Sequence, residues 1–312
     1  MREHSNYQHG FEGGLTVRNL PILNVYTRDV HWVDSSASAN GKGSFKRPFA
    51  TLQAAIDHAS AGDEILIKGA HAETISSATA LLFNKAGISI SGLERGSRRP
   101  TFTLDTANTA KIPVSAANVS IEGCLFVANF ADIATVFLLT TAPEFNCSGN
   151  EFRDTTSSLN VLTVVTTTVS VNSDGLKVNG NKVRSLGTTA ATTMVKVANT
   201  LDRIEINDNF FVGAVLNNTA ALLAHGALVV TNLEMARNKV YRPNTDTATG
   251  GILITTSSTT NSGMVYDNKV KCLDAAAIIL VTAGSVYGMF DNKVSGAADT
   301  SGFVLPALDT DS

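Results

Sequence analysis

The residues with the strongest claim to chemistry stand in one column: Asp208, Arg237, Asp267 and Asp291, each immediately before an asparagine that recurs through the second half of the chain. If successive repeats stack, Asp267 and Asp291 face each other about 4.8 Å apart with Arg237 beside them. Paired carboxylates roughly 5–9.5 Å apart are the equipment of glycosidic-bond hydrolysis. Clustered carboxylates also supply the hard oxygen ligands that calcium takes. A solvated turn competes with both readings, because Asp is at home in turns and Lys239, Lys269 and Lys293, two positions on, neutralise the patch. A second cluster, Glu151, Arg153 and Asp154 with Asp132 one repeat earlier, mixes both signs at one strand end and is expected to be surface ion pairing. The expectation is therefore that no residue is catalytic, metal-binding or cofactor-binding.

Other reactive residues add no constellation. The histidines, His4, His9, His31, His58, His71 and His225, lack metal-ligand spacing, and there is no Gly-x-Ser-x-Gly, P-loop or GxGxxG pattern. Cys124, Cys147 and Cys272 are an odd number without ligand spacing, so they read as reduced packing residues. Sugar grooves draw on aromatic platforms, yet the only Trp is Trp32. Of the tyrosines only Tyr241, Tyr266 and Tyr287 fall in the repeats, with Tyr266 and Tyr287 expected to alternate inward.

Composition excludes further classes. Hydrophobic residues make up 44% and charged residues 16%, with a net charge of −3 and no Lys/Arg run to track a phosphate backbone, so no nucleic-acid partner is expected. Residues 1–6 lack the basic and apolar regions of a secretory signal, and no window approaches ~18 apolar residues. No membrane contact is expected, and synthesis in a cytoplasm is.

The elements that must position these residues come from an internal repeat. Residues 145–152, 176–183, 204–211, 233–240, 264–270 and 289–294 align as a short alternating strand, a turn residue, an Asn, and an apolar residue two positions later. The asparagines are Asn150, Asn181, Asn209, Asn238, Asn268 and Asn292, at spacings of 31, 28, 29, 30 and 24. Residues 119–126 fit with Cys124 in the Asn slot, and residues 88–93 fit more weakly, giving about eight rungs where ~3 suffice to bury a continuous core. A second apolar run precedes each repeat, so a coil holds two or three short strands. An antiparallel sandwich also has many short strands, but would not repeat an Asn at one turn of every unit. The recurring Asn is expected at a left-handed turn, its amides stacking from coil to coil as a structural ladder.

Ahead of the rungs, Thr51 can cap a helix whose apolar stripe is Leu52, Ala55, Ile56 and Ala59, a polar-backed lid for the open end of a solenoid. The run Pro48-Phe49-Ala50-Thr51-Leu52-Gln53-Ala54-Ala55-Ile56, followed by Gly62-Asp63-Glu64-Ile65-Leu66-Ile67, resembles the start of pectate-lyase-like right-handed parallel β-helices. Residues 30–34, 41–49 and 69–75 resemble β-helix structural proteins of tailed bacteriophage virions. The resemblance implies an all-β, single-stranded right-handed solenoid with an N-terminal capping helix. It implies no reaction, because that fold carries lyases, hydrolases and structural spikes alike.

Three regions follow: a docking arm at 1–30, a lead-in with the capping helix at 31–62, and the β-helix with its C-terminal tail at 63–312. Leu15, Val17, Leu20, Ile22, Leu23 and Val25 form the arm's partner-binding set, unless that segment simply covers the first coil. The expected function is a non-catalytic virion component, assembled in the host cytoplasm, that decorates a capsid or forms a head or tail appendage. Its expected partners are other virion proteins and further copies of itself, with a trimer considered. The alternative is a tailspike-like protein that binds or cleaves a host-surface polysaccharide.

Overall fold

A computed structural model describes residues 15–17, 20–22, 29–169, 171–187, 192–213, 221–242, 252–256, 260–272, 278–281 and 287–295. One coil shows the plan. Asn146–Ser148 lies in a first sheet, a two-residue turn leads into Glu151–Asp154 of a second, and Thr163–Thr167 lies in a third before Lys177–Asn179 returns to the first. Every neighbour within these sheets is parallel, and the sheets hold ten, nine and seven strands in turn. The molecule is the expected right-handed parallel β-helix, the hand that twisted strands impose on parallel crossovers.

Side chains at alternate strand positions turn inward and stack from coil to coil. Phe102, Phe126 and Phe152 occupy one inward column with ring centroids 5.5 and 5.2 Å apart, and Phe137 meets Phe126 edge-on at 5.1 Å. Val183, Phe211, Val240 and Val270 continue that column. Flat rings stack well at the coil spacing, so shape as well as burial selects them.

The asparagine turn closes each coil by hydrogen bonding. The six asparagines are at most 2% exposed. The backbone N–H of Asn150 donates to Asn181 Oδ1, that of Asn181 to Asn209, of Asn209 to Asn238, of Asn238 to Asn268 and of Asn268 to Asn292, all at 2.9–3.1 Å. Each Nδ2 also donates back to a strand carbonyl one coil earlier, as from Asn238 to Ile206 O at 2.7 Å. Cys124 begins the column, donating its N–H to Asn150 Oδ1 at 3.0 Å. One expectation needs correcting. The left-handed backbone belongs to the residue before the Asn: Gly149, Gly180, Asp208, Arg237, Asp267 and Asp291 have φ between 54 and 65°. The Asn is retained for its amide, which satisfies donors that the turn would otherwise bury unpaired.

The N-terminal end is closed by the helix Leu52–His58, the only α-helix among the described residues. Thr51 Oγ1 accepts the Ala54 N–H at 3.2 Å, and Leu52, Ala55, Ile56 and Ala59 are all buried. Glu73 Oε2 accepts the Leu52 N–H at 2.9 Å, pinning the helix to the second sheet's first strand, Ala72–Ile75. A second correction concerns where the solenoid begins. Val30–Val33 pairs in parallel with Glu64–Ile67 as the first sheet's outermost strand, so the lead-in supplies a strand of the β-helix itself. No asparagine turn follows Val33, which hides that strand from repeat alignment. Tyr266 is also not inward. It lies on the outer face, stacked on Phe290 with centroids 4.8 Å apart, while Tyr287 is buried.

Leu15–Val17 and Leu20–Ile22 pair antiparallel with each other, with Leu15 opposite Ile22 and Val17 opposite Leu20, and join none of the solenoid's described strands. Leu23 and Val25 lie outside the described residues, as do the side chains of the other four arm positions.

Replacing Asn238 by Leu leaves the buried Asn209 N–H without its acceptor. Asn238→Leu is expected to unfold at least ~1–3 kcal/mol more easily than the parent in urea. An unchanged unfolding midpoint would show that the column carries no stability.

Candidate functional site

The turn column and the outer face of the second sheet meet at a shallow depression of about 280 Å³ lined by Arg237, Lys239, Asp267, Lys269, Asp291 and Lys293. The repeat brings these six together, as the spacing implies. Their wiring differs from two acids with a free base. The Arg237 guanidinium grips Asp208 one coil earlier through Nε to Oδ1 at 2.9 Å and Nη2 to Oδ2 at 2.8 Å. Asp208 and the Tyr266 hydroxyl hold its pKa above the ordinary value, so it stays a cation committed to that pair.

The second cluster is taken apart by the strand's alternation. Glu151 is 6% exposed, and its carboxylate receives Arg153 Nε at 2.6 Å and Arg99 Nη1 at 2.7 Å, with Lys182 Nζ at 3.9 Å. Burial pushes its pKa up, but the Arg153 hydrogen bond and the charges of Arg153, Lys182 and Arg99 outweigh that and hold it below the usual carboxylate range. A carboxylate so held is a poor proton donor near neutral pH. Asp154 points the other way, into the coil corner. Its oxygens accept from Leu186 N at 2.8 Å, Val161 N at 3.0 Å and Ser185 Oγ at 3.2 Å, while burial raises its pKa. Asp132 stands apart in a turn at φ 49°. This group is the fastening of a corner, and sequence could not show it because Arg99 is 52 residues from Glu151.

The histidines serve the cap and the core. His31 Nε2 lies 2.9 Å from Asp63 Oδ2, and the same carboxylate accepts the N–H groups of Ser60 and Asp29. Burial opposes the ionised form of Asp63, but the bonds from His31, Ser60 and Asp29 leave its pKa below the ordinary value. His71 approaches Glu73 at 3.2 Å, and His225 sits between Leu228 O and the Tyr287 hydroxyl. His4 and His9 lie outside the described residues. Cys124 and Cys147 are free and buried, and burial pushes the Cys147 thiol up to about 12 and raises that of Cys124, so both stay protonated. The Cys272 side chain lies outside the described residues. Among the described residues no group of three or more His, Cys, Asp or Glu side chains is placed to hold a metal ion.

Cross-coil register reveals a feature that sequence reading passed over. On the outer face of the second sheet one column runs Glu151, Lys182, Phe210, Lys239, Lys269, Lys293, and beside it runs Arg153, Arg184, Val212, Tyr241, Lys271, Ser295. Among the described residues, that face carries seven cations and one carboxylate on a chain whose net charge is −3. The signal was present in the repeat: the position after the ladder Asn is Lys in four of six units.

No family model and no curated protein sequence matches the chain at a significant level. Among solved structures, a rhamnogalacturonan lyase is similar at 13% identity and a TM-score of 0.39, over 91% of this chain and 90% of that one. A GH136 lacto-N-biosidase from Eubacterium ramulus is similar at 10% identity and a TM-score of 0.23, over 86% of this chain and 68% of that one. Likenesses this distant say nothing about activity, and the fold rests on the strand register itself.

The two clusters are expected to respond oppositely to neutralisation. Asp267→Asn with Asp291→Asn should leave unfolding within ~0.5 kcal/mol of the parent, as is usual for exposed sites. Glu151→Gln should be clearly destabilised at pH 6. Because the folded pKa of Glu151 is depressed, its contribution is present above its unfolded value of about 4.3 and is lost as pH falls through the folded one. Urea unfolding at pH 6 and pH 3 checks this. The gap between Glu151→Gln and the parent should be smaller at pH 3 than at pH 6, and a gap that widens contradicts the assignment.

Proposed function

We propose that this chain is a structural component of a bacteriophage virion, a β-helix that decorates the capsid or forms a head or tail appendage and is anchored by its N-terminal arm. The observation that carries the reading is the pairing of Leu15–Val17 with Leu20–Ile22 and with no described strand of the solenoid. The end of the solenoid nearest the arm in sequence already has its outermost strand, Val30–Val33, and its helix packed against that strand. A two-stranded ribbon alone is marginal in water. Leu15, Val17, Leu20, Ile22, Leu23 and Val25 supply apolar surface for a partner, each worth ~1.5–3 kcal/mol on full burial before ordering costs are subtracted. The resemblance of residues 30–34, 41–49 and 69–75 to phage β-helix proteins supports the virion setting. The partners are then capsid or tail proteins, together with further copies of this chain.

A chain beginning at Thr27 retains the Val30–Val33 strand, the helix and every rung. It is expected to give the parent's circular dichroism and melting temperature but to fail to rebind particles stripped of the native copy. Rebinding equal to the parent removes the docking role, and loss of folding makes the arm part of the first coil.

A further inference from the structure

We propose that two copies of this chain pack face to face and antiparallel through the outer face of the first sheet. This pairing goes beyond the virion reading and does not involve the arm. The first sheet is the longest, with ten strands from Val30–Val33 to Tyr287–Phe290. Its outer face turns apolar side chains to solvent at the two ends and polar ones between. At the N-terminal end Val30 is exposed, Trp32 stands beside Leu66, and Phe45, 60% exposed, meets Trp32 edge-on with ring centroids 4.9 Å apart. At the C-terminal end Met264, 57% exposed, shares a strand with Tyr266, whose ring stacks on Phe290. Between them lie small polar residues such as Ser89 and Ser120, and the charges of Glu122, Lys177, Glu205 and Glu234.

A two-fold interface must match one surface with itself. Let the two-fold lie along the strand direction, midway between Asn146–Ser148 and Lys177–Asn179. Phe290 then falls over the second copy's Trp32 and Tyr266 over its Leu66, while Glu234 falls over Ser89 and Glu205 over Ser120. A two-fold along the solenoid axis also matches apolar with apolar, but it sets all four carboxylates, Glu64, Glu122, Glu205 and Glu234, level with their own copies. The antiparallel arrangement sets only Glu122 level with Glu205, and that Glu205 already has Lys177 at 3.2 Å within its own chain. Like-charge repulsion therefore selects the antiparallel arrangement. Ten strands about 4.8 Å apart give a strip roughly 43 Å long, which at about 15 Å across buries on the order of 1,300 Å² over both copies, enough for a specific dimer.

The test is sedimentation of the full chain over a concentration series, with the emission of Trp32, the only tryptophan, followed in parallel. A monomer to dimer equilibrium is expected, and Trp32 emission should shift to the red on dilution as dimers part. Because carboxylates outnumber cations on the strip, the dimer should hold or tighten as salt rises. Met264→Asp with Phe290→Asp should weaken association about tenfold or more, while Phe210→Asp on the second sheet should change it less than about twofold. Circular dichroism of both variants should match the parent, because the three substituted side chains are exposed. The arrangement is read by cross-linking. Ser89 and Glu234 stand five strands apart in one chain, about 24 Å, too far for a disulfide within it. Ser89→Cys with Glu234→Cys should therefore oxidise to a covalent dimer, and neither single variant should. Any of four results overturns the proposal: a chain monomeric at every concentration, association unchanged by Met264→Asp with Phe290→Asp, association lost as salt rises, or single-cysteine variants that cross-link as well as the pair.

Discussion

A buried amide repeated once per coil is the interaction on which the rest of this molecule depends. A parallel β-helix must turn a strand sharply into the next sheet without stranding backbone donors away from water, since an unmatched buried N–H costs about 1–3 kcal/mol. Here each turn is met by the Asn of the next coil, whose Oδ1 accepts the backbone N–H of the Asn before it. Division of labour follows. The preceding residue takes the left-handed backbone, Gly in two turns and Asp or Arg in the rest, while the Asn supplies the bonding. A column wired in this way sets the register of neighbouring coils, and register decides what stands over what on every face.

Register is also what settles the chemistry of the charged residues. Arg237 reaches one coil back to Asp208, and Glu151 collects Arg99, Arg153 and Lys182 from three coils. Asp208 and Glu151 are therefore fasteners between coils. Among the described residues, Lys239 and Lys269 stand opposite each other on the second sheet with no carboxylate within ion-pair distance of either.

Much of this was legible in the chain. The period, the identity of the six asparagines, the inward alternation at Phe152, Val183 and Phe211, and the helix capped by Thr51 all follow from local rules of turn chemistry, strand alternation and helix capping. Less legible were features set by a neighbour a whole coil away. Tyr266 was expected inward, yet it faces out and stacks on Phe290, a partner that local alternation does not reveal. The strand Val30–Val33 carries no turn signature and was visible only through its pairing with Glu64–Ile67. The lysines after each Asn were conspicuous one at a time, but read only as neutralising their Asp neighbours, because the rows they form exist only across coils.

Hydrogen exchange followed by mass spectrometry tests most directly whether the amide column holds the coils in register. The backbone N–H groups of Asn181, Asn209, Asn238 and Asn268 should exchange in the slowest class of the whole chain and together, through global unfolding. Exchange at those four positions as fast as at the exposed turn residues Thr156 and Ser158 would contradict the account.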